Sequence, residues 1–333
     1  MDLQTLWFIV IAFLFVGYFV LEGFDFGVGM LLPFLGGDGE ERARRRDAVA
    51  TSIGPVWNGN EVWLIVAVGG MFAAFPEWYA TMFSGFYLPL LLILLSLILR
   101  GVALEWRVKV DTQAWRDRCD IGLAIRSWVP AIFWGVAFAN IVQGVAIDAN
   151  RQIDSSLTAM FGLFNPYGLL GAGTFVLVFM VHGATFLGLK VHEPLRSRAH
   201  RLAQRLTIPT AVVAVGFAVW TQLAHGDPVI WIAVGVLALC VLIGSVAIMR
   251  GHDGLAFAAT AVAVATLVVQ IFVTLFPNVM PTSLPGGVSL DIYNASSSDY
   301  TLVFLSWGVL ILVPFILAAQ GWTFWSFAKR ITV

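Results

Sequence analysis

Long apolar runs of about twenty residues, broken only by short polar or Pro/Gly-rich joints, recur along the whole of this 333-residue chain. Such a run matches the apolar thickness of a bilayer. Lipid gives backbone N–H and C=O groups no partner, so a spanning run must be a helix or part of a closed barrel. The runs here are continuous rather than alternating, which selects helices. They lie near residues 5–27, 51–74, 80–103, 123–146, 165–189, 207–225, 229–249, 255–276 and 301–326. The joints include Phe75-Pro76-Glu77 and Ser283-Leu284-Pro285-Gly286-Gly287. The expectation is an all-α polytopic membrane protein with about nine transmembrane helices, forming a single transmembrane domain over residues 1–333. Charged residues make up only 12% of the chain, about half the share of a soluble domain. No basic residue precedes Arg42, so the first run lacks the basic start of a cleaved signal and is read as a retained span.

Basic residues concentrate on the cytoplasmic side of membrane proteins. With the N-terminus outside, the cytoplasmic segments are 28–50, 104–122, 190–206, 250–254 and the tail. Arg100 and Arg126 then fall at cytoplasmic helix ends, and of the 19 basic residues only Arg151 lies outside. The predicted orientation is N-out and C-in. Trp78, Tyr79, Trp106, Trp115, Tyr167, Trp322 and Trp325 sit near span ends, where aromatic belts form, whereas Trp57, Trp63 and Trp307 lie deeper. A net charge of −1 argues against a nucleic-acid partner. Cys119 and Cys240 stand far apart and suggest neither a disulfide framework nor a thiolate metal site. Gly36-Gly37-Asp38-Gly39 reads as a loop, without the pattern of a phosphate-cradling motif.

Charge at the centre of a spanning helix costs about 2.5 kcal/mol or more, so ionisable residues there mark candidate sites. Glu22 and Asp25, three residues apart in the first span, share a helix face. Gly23 and Gly27 let another helix approach that face closely. The pair is either a hydrated interfacial feature or part of a buried site. In the second span Glu61 is expected about halfway across. Asn58 shares its face at a spacing of three and Trp57 at a spacing of four. A carboxylate there needs a cation, donors or water, which suits a proton relay or ligand contact, with a hydrogen-bonded packing cluster as the alternative. Arg100, closing the third span, either snorkels to the interface or pairs with Glu22, Asp25 or Glu61. Asn140, Gln143 and Gln270 read as amides that hold neighbouring helices, at about 1 kcal/mol each. His182, the histidine well inside a span, reads as a core residue. Haem takes an axial His, Met or Cys, and a single buried histidine does not equip a chain for several haems.

These segments together resemble subunit II of the cytochrome bd-type quinol oxidases. The resemblance runs through Gly23-Phe24-Asp25-Phe26-Gly27-Val28-Gly29-Met30, Trp57-Asn58-Gly59-Asn60-Glu61-Val62-Trp63, Phe83-Ser84-Gly85-Phe86-Tyr87 and the stretch from Arg100 to Arg107. It continues in Gly135-Val136-Ala137-Phe138-Ala139-Asn140 with Gln143-Gly144, Phe164-Asn165-Pro166-Tyr167-Gly168-Leu169-Leu170 and Gly183-Ala184-Thr185. It ends in Phe276-Pro277-Asn278-Val279-Met280-Pro281 and Asn294-Ala295-Ser296-Ser297-Ser298. Each motif alone is weak, and the ordered set is specific.

The resemblance implies two four-helix bundles plus one peripheral helix, in the bacterial inner (cytoplasmic) membrane. It implies a heterodimer with a similarly folded subunit I that carries two haems b and one haem d and oxidises quinol. The complex reduces dioxygen to water with protons taken from the cytoplasm. No cofactor is then expected on this chain itself, while the resemblance leaves room for a structural quinone and for small single-span subunits. Glu22 and Asp25 match the family's acidic pair, and Trp57 and Arg100 the positions flanking its buried polar cluster. Some relatives carry an acid at the position of Asn58 and an amide at that of Glu61, so here the carboxylate stands one helical turn along the same face. The competing class is an ion-coupled secondary transporter, for which buried acids beside glycines would form the ion site.

Overall fold

In the computed structural model, which describes residues 2–35, 39–225, 228 and 230–332, apolar runs become helices until proline or a loop interrupts them. The long helices are α1 (Leu3–Leu31), α3 (Trp57–Ala74), α5 (Tyr87–Trp106), α6 (Gln113–Gln143), α8 (Pro166–Lys190), α9 (Leu195–His225), α10 (Ile230–Met249), α11 (Asp253–Leu275) and α12 (Asp299–Ser326). Short helices α2 (Gly39–Ile53), α4 (Pro76–Gly85) and α7 (Leu157–Gly162) lie between them, and a small antiparallel pair, β1 (Asn278–Met280) with β2 (Leu290–Asp291), precedes α12. Several starts carry side-chain caps that meet the orphan N–H groups of a first turn. Asp2 accepts from Thr5 N–H, Asn165 from Gly168 N–H and Ser298 from Thr301 N–H.

Among the described residues, eight helices are long and apolar enough to cross a membrane, α3 being the long helix outside that set. Asn58, Asn60 and Glu61, all near its start, lower its apolar content. Four expected boundaries need correction. The run 51–74 is not one helix: α2 ends at Ile53, and α3 begins at Trp57 just past Pro55. A residue before proline is driven out of the helical region, which makes this a natural break. Glu61 therefore lies in the second turn of α3 rather than halfway across, and Trp57 is its first residue. The run 80–103 is divided at Phe86 between α4 and α5. The segment 28–50, expected as a loop, contains the end of α1 and most of α2, and α9 begins twelve residues before its expected span at 207. Gly36, Gly37 and Asp38 of the expected glycine loop lie outside the described residues.

The helices pack as two groups of four. In the first, α1 lies against α3 and α6, and α5 against α6. In the second, α8 lies against α9 and α11, and α10 against α9 and α11. The main seams between groups are α1 with α8, α6 with α8 and α1 with α11. Outside both runs α12, touching α3 and α1. Leu302 is its only buried side chain among the described residues.

Glycine allows the seams to close. A Cβ on Gly27 would meet the Phe179 carbonyl oxygen at 1.9 Å, and one on Gly183 the Gly27 carbonyl carbon at 2.5 Å. Beside this crossing, Phe19 meets Trp134, Phe138, Phe175 and Phe179 with ring centroids 5.8, 5.6, 5.2 and 6.0 Å away. Lipid is as apolar as these side chains, so close contact rather than water exclusion holds the helices together.

The basic helix ends are tied by ion pairs. Buried Asp120 on α6 binds Arg107 Nε at 2.6 Å and Arg46 of α2 at 3.5 Å. Asp253, opening α11, accepts from Arg196 and His200 of α9 and from Arg330 beyond α12. The chain after α12 also forms backbone bonds with the end of α8: Ile331 N–H donates to Lys190 O at 2.8 Å and His192 N–H to Ile331 O at 3.0 Å.

Replacing Gly27 or Gly183 by Val should force α1 from α8 and cost about 1–3 kcal/mol or more, the range for overpacking a tight contact. The check is the midpoint of detergent or thermal unfolding. G69A, whose Cβ meets nothing within 4 Å, should leave that midpoint unchanged.

Candidate functional site

The three-residue spacing of Glu22 and Asp25 turns both toward α3 and α5, and neither has any solvent exposure. Arg100, also fully buried, comes from α5 and donates through Nη2 to Glu22 Oε1. The same nitrogen lies 3.8 Å from Glu61 Oε2 on α3. Its guanidinium sits 4.9 Å from the centre of the Phe26 ring, a cation–π distance. Arg100 thus pairs inside the bundle rather than snorkelling.

Asp25 is served by Asn60, which the residue spacing did not single out. Asn60 Nδ2 donates to Asp25 Oδ2 at 2.8 Å and reaches the Leu21 carbonyl at 3.4 Å. Its Oδ1 accepts from Gln320 Nε2 of α12 at 2.8 Å. Of the neighbouring amides, Asn60 is buried and Asn58 exposed. Two residues along a helix is a turn of about 200°, so only one of them can face α1. The expectation chose Asn58 for its spacing from Glu61. Gln320 was legible as an amide inside an apolar run, but nothing in the sequence aimed it at α3.

Glu61 connects the buried cluster to the outside. Its side chain is 20% exposed and opens on a groove of about 390 Å³ lined by Trp57, Asn58, Gly101, Glu105 and Trp106. Trp57 packs against Gly101, where a Cβ would come within 2.9 Å of the indole. Ile65 and Leu97 also border a second, mainly apolar groove of about 500 Å³ between α3, α4 and α5, with Trp134 among its walls. Expected residues Glu22, Asp25, Glu61 and Arg100 therefore come together, with Trp57 and Asn58 on the rim.

One guanidinium faces three carboxyl groups. Taking an ion out of water costs several kcal/mol even after relaxation, so this cluster balances its charge only when protons are shared among the acids. Arg100 Nε and Nη1, Glu22 Oε2 and Asp25 Oδ1 have no hydrogen-bond partner in the protein. Buried atoms of this kind are ordinarily met by water or a ligand.

The other polar residues hold helices. Asn140 donates to Val136 O and Leu163 O and accepts from Asn165. Gln270 donates to Ala218 O. Gln143 is exposed at the end of α6 and does not join them. His182 uses both ring nitrogens, Nδ1 with Thr260 Oγ1 at 2.8 Å and Nε2 with Val20 O at 3.0 Å. Its ring therefore fits no iron without losing a helix contact. Among the described residues no group of His, Cys, Asp and Glu could hold a metal ion.

The family model described as cytochrome bd terminal oxidase subunit II matches residues 3–327. The chain belongs to that family. It is 39% identical over 337 residues to cytochrome bd ubiquinol oxidase subunit 2 of Bacillus subtilis, covering 99% of this chain and 97% of the relative. It is 32% identical over 365 residues to cytochrome bd-I ubiquinol oxidase subunit 2 of Escherichia coli, covering 99% and 95%. A solved bd oxidase chain from Geobacillus thermodenitrificans superposes with a TM-score of 0.74 at 18% identity, covering 96% of this chain and 98% of that one. This last likeness speaks for the fold. The comparisons do not favour the ion-coupled transporter. In this bd-type subunit II the one intramembrane arginine of α5 binds acids from two other helices, so it is also a packing device.

Replacing Arg100 by Leu should destabilise the protein by about 3–5 kcal/mol, the range for breaking a buried pair and stranding its partner. Unfolding in graded detergent measures this. Replacing Glu22 by Leu as well should recover part of the loss.

Proposed function

We propose that this chain is the haem-free subunit II of a bd-type terminal oxidase, a complex that oxidises quinol and reduces dioxygen to water in aerobic respiration. Its partner is a haem-bearing subunit I, which supplies the electron chemistry when its haems are bound. The reading rests on family membership and on one structural observation: a buried acid cluster joined to an open groove through a single partly exposed carboxyl, Glu61. In this reading the cluster lines a proton path from the cytoplasm, and turnover builds a proton gradient by consuming protons on that side.

The chain's own residues suit such a role. Glu61 exchanges protons with the groove. Arg100 lies within reach of Glu61 and Glu22 and steadies whichever is ionised. Asn60 orients Asp25. The unpartnered atoms of Arg100, Glu22 and Asp25 provide further points for mobile hydrogen bonds. The ring nitrogens of His182 are already engaged, which favours placing the haems on the partner. The apolar groove beside α3, α4 and α5, which shares Ile65 and Leu97 with the groove at Glu61, suits an isoprenoid quinone held structurally. Arg107, Arg116, Arg196 and Arg330 gather at the helix ends opposite Asp2. By the preference of basic residues for the inner face, this supports an N-out, C-in chain in the bacterial cytoplasmic membrane.

Tagged protein purified in mild detergent should bring a haem-bearing partner, visible in a reduced-minus-oxidised spectrum. Its absence from a stable preparation would overturn the subunit assignment. In the assembled complex, E61Q and D25N should each lower oxygen consumption at least ten-fold while leaving the haem spectrum intact. Full activity with full assembly would mean that the residue only braces its neighbours.

A further inference from the structure

Gln320 departs from the character of its helix. Most of α12 is laid along the outside of the bundle, with exposed apolar side chains such as Leu312, Phe315, Ile316 and Leu317. Gln320 instead turns inward and donates to Asn60, which donates to Asp25. Gly59 makes room for it: a Cβ there would stand 3.2 Å from Gln320 Oε1.

The chemistry of amides gives this short chain a direction. An ionised carboxylate only accepts hydrogen bonds, and each amide has one donating and one accepting end. If Asn60 shows its NH₂ to Asp25, its carbonyl must face α12, and the partner there must be a donor. Gln320 is that donor. The chain has one other self-consistent polarity. If the outer end stops donating, Asn60 can turn its NH₂ outward and its carbonyl inward, giving up the contact of Nδ2 with the Leu21 carbonyl, and Asp25 then completes the bond only by carrying a proton.

We propose that Gln320 is a positioning residue that locks the Asn60 amide and so keeps Asp25 as a hydrogen-bond acceptor. α12 thereby becomes the element through which an event on the outer surface reaches the buried acids. The inference deepens the proton-path reading and rests on it only for the effect on turnover. The geometry of the lock stands apart from that reading.

The test uses the assembled complex and the infrared band of protonated carboxyl groups. Q320M keeps the length of the side chain and removes the donor. The protonated-carboxyl band should gain intensity in Q320M, and the added intensity should be absent from Q320M/D25N. Independently, G59A presses a methyl against the Gln320 amide and should give the same change at smaller amplitude, which decides the matter should Q320M assemble poorly. A carboxyl region in Q320M, or in G59A where that variant must decide, with no change that depends on Asp25 overturns the proposal. If the band moves while oxygen consumption stays as in the wild type, the lock holds and the proton path through Asp25 fails.

Discussion

A guanidinium with no access to water organises the first helix group. Arg100 cannot be left alone at that depth, since an unpaired buried charge is among the most destabilising features a protein can carry. It draws Glu22 from α1 and approaches Glu61 on α3. These are the helices that must stand close for the bundle to exist. Asp25 then needs its own donor, which brings in Asn60 and through it α12. Each polar group is tolerable because the previous one is present, so the cluster is best regarded as one unit.

Two kinds of contact divide the labour. Between the helix groups, the α1–α8 seam is made by glycines and aromatic rings, without charge, and tolerates no added atoms. At the basic ends, Asp120 and Asp253 gather arginines from separate segments and fix how loops and short helices lie over the bundle. Between α3 and α5, beside the contact of Trp57 with Gly101 and the approach of Glu61 to Arg100, the two grooves open. The chain is therefore tight where it needs to be rigid and loose beside its only exposed cluster acid, Glu61.

The sequence made the helices and their polar positions legible, because lipid leaves few alternatives for a long apolar run. Glu22, Asp25, Glu61 and Arg100 stood out for their charge, and the structure gathers them. What failed was local. Pro55 broke a run that hydrophobicity alone joined to its neighbour, which moved Glu61 from mid-helix to a second turn. Asn58 was preferred to Asn60 because spacing was measured from Glu61 rather than from Asp25 on another helix. Gln320 was visible as a residue, yet its partner lies 260 positions away. Helical periodicity carries no information about contacts of that range. Gln143 shows the converse error, since an amide near a span end simply stays wet.

The tail beyond α12 crosses back to the second helix group, where Ile331 pairs with the end of α8 and Arg330 grips Asp253. That clasp has a consequence for biogenesis. α12 has little buried surface to hold it, so a newly inserted copy would be free to drift in the bilayer. The latch can close only once α8, α11 and α12 are all in place, which makes it a mechanical check on elements far apart in the chain. A chain arrested before that moment would hold α12 by little more than its contacts with α3 and α1.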